Sequence, residues 1–141
     1  MRTLALDFGD VRIGVAISDA MGWTASPLCA ISRKNPIDLK SSIEELCKIV
    51  KEREVSKIVV GMPKNMNNTQ GENCEKVQRF AQKLEKAMPD VEIVFFDERL
   101  STQRALRIYQ EAGISAKKRE KGDLDKMAAQ IILQGYLDLQ R

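Results

Sequence analysis

The sequence predicts an α/β fold, a mixed sheet with helices packed on both of its faces. Three observations predict it. Leu4, Ala5 and Leu6 form a run with no polar face, which suits a central strand covered on both sides. Ile13, Val15 and Ile17 then alternate with Arg12, Gly14, Ala16 and Ser18, the period of a strand in a hairpin with the first. Two later runs rich in β-branched residues, 55–61 and 91–96, each follow a stretch with helical spacing of apolar residues.

The elements follow in order. Asp7 ends the first run, and Gly9-Asp10 supplies a turn into the second strand. A third strand is expected around Leu28 to Ile31, with Pro27 marking it as an edge. Asn35-Pro36 is a helix-start signal, and Ile37, Leu39, Ile43, Leu46, Ile49 and Val50 make a helical stripe to about Glu54. After the strand at 55–61 comes a polar loop, 62–71. Thr69 and Glu72 have capping-box spacing, and Val77, Phe80, Ala81, Leu84 and Met88 form the next stripe before Pro89. The strand at 91–96 terminates in Asp97-Glu98-Arg99. Ser101 is placed to cap a helix carrying Ala105, Ile108, Tyr109 and Ala112, closed by Gly113. An exposed basic loop, 114–122, leads to Asp123, which caps a last helix with Leu124, Met127, Ala128, Ile131, Ile132 and Leu137 facing inward. With no repeat, low-complexity tract or linker, residues 1–141 read as one domain.

Composition narrows the chemistry. At 43% hydrophobic and 30% charged the chain is an ordinary globular protein, with no apolar run of membrane-spanning length. The start runs directly into a strand rather than a signal segment, so a cytoplasmic location is expected. Cys29, Cys47 and Cys74 are odd in number and not in metal-binding spacing, which also suits a reducing compartment. The chain has no histidine. That excludes Ser-His-Asp and Cys-His nucleophile systems and removes the commonest zinc ligand. Catalysis must rest on carboxylates, lysine, arginine, hydroxyls or a hard metal ion held by oxygen.

Acidic residues fall where separate elements end or begin. Asp7 closes the first strand, Asp97-Glu98 closes the last, and Asp123 and Asp125 open the final helix. Open α/β sheets build sites outside the carboxyl ends of their strands, so two of these three places can converge there. Asp125 shares a helix face with Ala128, Ala129 and Ile132 and should point inward. Several carboxylates at one place repel one another unless a cation neutralises them. Magnesium or manganese fits that role, and two such ions roughly 4 Å apart can drive phosphodiester hydrolysis without histidine.

Plainer roles exist for each residue. Asp7 can be a turn former, Asp97-Glu98 a surface network with Arg99 or Arg104, Asp123 a cap, and Asp125 a complement to the helix dipole. Arg12 either approaches a scissile phosphate or pairs with one of the acids. Lys64 and Asn65 are placed to contact a nucleic-acid backbone, and Arg99 and Arg104 to clamp phosphates. Lys117, Lys118, Arg119 and Lys121 form either a solvated loop or a region that steers RNA or DNA. Trp23 is a packing or base-stacking residue.

Four segments together resemble the YqgF/RuvX family of the RNase H-like superfamily, which includes Holliday junction resolvases. They are LALDFGDVRIGVAISD, KIVVGMPKNMNNTQG, FFDERLSTQRA and DLDKMAAQIILQGYLD, spanning nearly the whole chain in the family's order. Asn67-Asn68 departs from the acidic residue and glycine usual there. The resemblance implies an RNase H-like, five-stranded mixed sheet and a metal-dependent nuclease acting in 5′-end maturation of pre-16S ribosomal RNA. It implies metal ligands at Asp7, Glu98 and Asp125, with Asp97 as a further candidate, and Mg2+ or Mn2+ as the ion. Expected partners are pre-rRNA in preference to branched DNA, and ribosomal precursor particles; the expected state is a monomer or weak homodimer. The alternatives are a Holliday junction resolvase and a non-catalytic nucleic-acid-binding maturation factor. The DFG-x-x-R-I-G start also looks like the phosphate loop of actin-like ATPases, but the chain is too short for their second nucleotide-clamping domain.

Overall fold

The computed structural model describes residues 1–33, 39–62, 72–98, 107 and 123–140. Five strands, β1 (Arg2–Phe8), β2 (Arg12–Ser18), β3 (Ala25–Ser32), β4 (Val55–Met62) and β5 (Glu92–Asp97), form one sheet in the order β3-β2-β1-β4-β5. The strand β1 is central. It pairs antiparallel with β2 and parallel with β4. The outer pairs continue each sense, β2 with β3 antiparallel and β4 with β5 parallel. Helices α1 (Lys40–Arg53), α2 (Glu72–Ala87) and α3 (Asp123–Leu139) cover the faces.

Strand alternation sorts the core into two layers. Leu4, Leu6, Ile58 and Val60 point to one face, where Leu46 of α1 and Val77, Phe80 and Leu84 of α2 pack on them. Ala5, Ala16 and Val59 point to the other, under Ala129, Ile132, Leu133 and Leu137 of α3. Small side chains on that second face let α3 lie close to the sheet. At Gly14 the approach is closest, because a Cβ there would collide with the backbone carbonyl of Asp125.

Most elements match their sequence signals, including the whole apolar stripe of α2. Pro27 does sit in an edge strand, beside an irregularity in the β2–β3 register between Val15 and Ala16. Some boundaries and one buried face differ. The first helix starts at Lys40, with Leu39 at its N-cap position and no side-chain cap. The last strand extends to Asp97. The inward face of α3 is centred on Ala129, Leu133 and Leu137, and Leu124 is 62% exposed rather than interior. Leu124 precedes Asp125 by one residue, about 100° around the helix, so both cannot face the sheet. The start signal at Asn35-Pro36, the cap at Thr69 and, apart from residue 107, the helix expected after Ser101 lie outside the described residues.

The sequence reading also missed Gln134. Its side chain is buried, accepts from the Ala25 amide at 3.1 Å and donates to the Trp23 carbonyl at 3.3 Å and Asp138 at 3.0 Å. It ties α3 to the start of β3, a contact that no local pattern announces.

Candidate nuclease site

The site lies off the carboxyl end of β1. The tight connection to β2 is closed by the Gly9 amide donating to the Arg12 carbonyl at 3.0 Å. Asp7, two residues beyond Ala5, points to the α3 face and stands opposite Gly14 in the ladder. Arg12, on the same face of β2, donates from Nε to Asp125 Oδ2 at 2.7 Å, with both side chains partly buried.

A pocket of about 180 Å³ opens beside these residues, lined by Asp7, Gly9, Asp10, Gly61, Lys76 and Glu98 among others. Glu98 immediately follows β5, and its carboxylate reaches toward β4. A Cβ on Gly61 would lie 3.0 Å from Glu98 Oε1 and 2.5 Å from Ile132 Cδ1. Gly61 therefore keeps room for both the carboxylate and α3.

Electrostatics single out Asp7. Burial, then the negative charge of Asp125, push its carboxyl from 3.8 up to about 6. A carboxylate so placed is costly to ionise without a nearby cation. The donors present are oxygens, which suit a hard divalent ion. Asp7 and Glu98 fit such an ion in one pocket, while Asp125 adjoins them but is engaged by Arg12. Among the described residues no three Asp, Glu or Cys side chains gather closely enough to ligate one ion.

Asp7 and Glu98 thus line one pocket, and Asp125, paired with Arg12, lies near enough to Asp7 to raise its carboxyl. The structure does not bring Asp97 into the pocket lining. Asp97 is the last residue of β5 and has the parity of Ile93, which packs against the other core layer. Lys64, Asn65, Arg99, Arg104, Lys117, Lys118, Arg119 and Lys121 lie outside the described residues. Lys76 is a pocket residue that sequence reasoning overlooked. Its signal was present, as an exposed cation one position before Val77 of the α2 stripe.

Comparison with known proteins places the chain among relatives. It matches the family described as "RuvX: Holliday junction resolvase" over residues 1–139. A candidate pre-16S rRNA nuclease of Shouchella clausii is 49% identical over 140 residues, covering 99% of this chain and 96% of that protein. One from Clostridioides difficile is 50% identical over 139 residues, covering 99% and 95%. Among solved structures, Thermus thermophilus RuvC in complex with a Holliday junction superposes with a TM-score of 0.62 at 14% identity, covering 99% of this chain and 95% of that one. Fowlpox virus resolvase with Holliday junction DNA gives 0.57 at 11% identity, covering 99% of both chains. These two likenesses establish the shared RNase H-like fold.

Proposed function

This chain belongs to the RuvX family, and on that premise we propose that it is a metal-dependent nuclease hydrolysing phosphodiester bonds at the 5′ end of pre-16S ribosomal RNA. The observation that carries the reading is the convergence of Asp7 and Glu98 on one pocket beside Asp125. In this reading Asp7, Glu98 and Asp125 hold Mg2+ or Mn2+, two ions with substrate bound. When bound, the ions neutralise charge on the scissile phosphate and activate water. Asp7 offers its carboxylate from a rigid central strand. Arg12 holds Asp125 against the sheet, Gly61 leaves space for Glu98, and Lys76 supplies positive charge on the pocket wall. Relatives named as candidate pre-16S rRNA nucleases support RNA as substrate, and the proposal places that action in the cytoplasm, on ribosomal precursor particles. No helix among the described residues is long and apolar enough to cross a membrane.

The test is cleavage of a pre-16S leader RNA by purified protein in magnesium or manganese. Asp7→Asn is expected to abolish cleavage while keeping the fold, and undiminished cleavage by that variant overturns the reading. A second reading, resolution of branched DNA, is favoured by the family's own description. Symmetric cutting of a four-way junction requires paired active sites, so it predicts a dimer on the junction. Junction cutting with the leader RNA left intact would select it.

A further inference from the structure

Beside the Asp7–Glu98 pocket lies a larger cavity of about 570 Å³ on the other side of β1's end. Phe8, Asp10 and Lys76 line both, so the two cavities adjoin along these three residues. The larger part is bordered by five cations, Arg33, Lys76, Arg79, Lys83 and Lys86, against a single acid, Asp10. Four of the cations come from α2. Their spacing confines them to about 80° of the helix circumference and spreads them over about 15 Å of its length. All four are exposed, flanking the buried face formed by Val77, Phe80 and Leu84. Two face acids only across long, exposed separations, Lys76 to Asp10 at 4.0 Å and Arg79 to Glu75 at 3.9 Å. Such pairs are weak and give way to a phosphate. The floor is rigid: Phe8 stacks on Phe80 at 4.4 Å, and Arg33 covers Phe8 while donating to the Gly9 carbonyl at 2.6 Å.

Five cations bordering a cavity with a single acid exceed what that acid can neutralise, and they suit a polyanion that must reach the adjoining carboxylate pocket. Positively charged grooves follow single strands in this way, by contacts to phosphates. We propose that the exposed face of α2 is a phosphate track carrying a single-stranded segment of the RNA substrate into the Asp7–Glu98 pocket. The choice of RNA rests on the nuclease reading above; the track itself rests on the groove and its charge.

The test uses the full chain with Arg79, Lys83 and Lys86 changed to Gln, three residues that border the track but not the catalytic pocket. A control triple, Lys48→Gln, Lys51→Gln and Arg53→Gln on α1, removes the same charge from outside both cavities. Binding of a short fluorescein-labelled single-stranded RNA is measured by anisotropy in chelator, over a range of salt. The track variant is expected to bind roughly 10- to 100-fold more weakly near about 0.1 M salt, with the slope of log K against log salt reduced by about 2. The control is expected to keep the wild-type slope. An unchanged slope in the track variant, or an equal loss in both triples, overturns the track. A loss confined to four-way junction DNA overturns the RNA assignment. Cleavage of the same RNA by wild type in magnesium reports separately on the nuclease reading, since binding in chelator does not depend on it.

Discussion

Asp7 and Gly14 stand opposite each other across the β1–β2 ladder, and the missing side chain of Gly14 is the space that the Asp125 backbone occupies. One absent methyl group thus decides whether the start of α3 can bring its carboxylate to the strand that carries Asp7. Gly14→Ala has backbone, not a flexible side chain, in its way. It is expected to cost about 1–3 kcal/mol of stability through overpacking and to lower metal-dependent cleavage by displacing Asp125. Urea unfolding and a cleavage assay on the same preparation check both.

Asp7 also makes stability depend on pH. Its folded-state value is raised from 3.8 to about 6, so between these values the folded chain holds a proton that the unfolded chain has released. Stability contributed by this group is therefore present at about pH 4 and lost as pH rises through about 6, on the order of 3 kcal/mol by linkage. Asp7→Asn removes the ionisable group. The variant is expected to be more stable than wild type at about pH 8 and to lose that advantage at about pH 4, while being inactive. Denaturation curves at the two pH values decide it; equal stability at the higher one would show that Asp7 is not raised.

Arg12 is the cation that meets Asp125, through a 2.7 Å charge-assisted bond. Arg12→Gln leaves the Asp125 charge uncompensated beside Asp7. The Asp7 carboxyl should then titrate above about 6, and the pH midpoint of cleavage should move up with it. Carbon-detected NMR of the Asp7 carboxyl reads the first, and a pH–rate profile the second.

Neighbouring acids at the end of β5 should behave differently. Glu98→Gln removes a pocket carboxylate and is expected to reduce metal-dependent cleavage by at least about 100-fold, a loss of roughly 2.7 kcal/mol in transition-state stabilisation. Asp97→Asn, outside the pocket lining, should stay within about tenfold of wild type. Parallel single-turnover assays with both variants distinguish them, and a reversed order would place Asp97 in the site.

By itself the sequence determined the strands, the hairpin, the α2 stripe and a chain whose chemistry must do without histidine. These are readable because burial repeats with the period of each element: Leu4-Ala5-Leu6 has no polar face, and Val77, Phe80 and Leu84 recur with the helix turn. Only the tertiary structure decided which acids meet. Asp97 and Glu98 are adjacent in sequence, but the alternation of β5 and the gap left by Gly61 put the Glu98 carboxylate beside Asp7's pocket. Arg12 and Asp125 are separated by 113 positions, and nothing local links them until α3 settles into the space above Gly14. Local periodicity records which face of an element is buried. It carries no record of which distant charge will lie against it, because that depends on how closely two packed elements can approach.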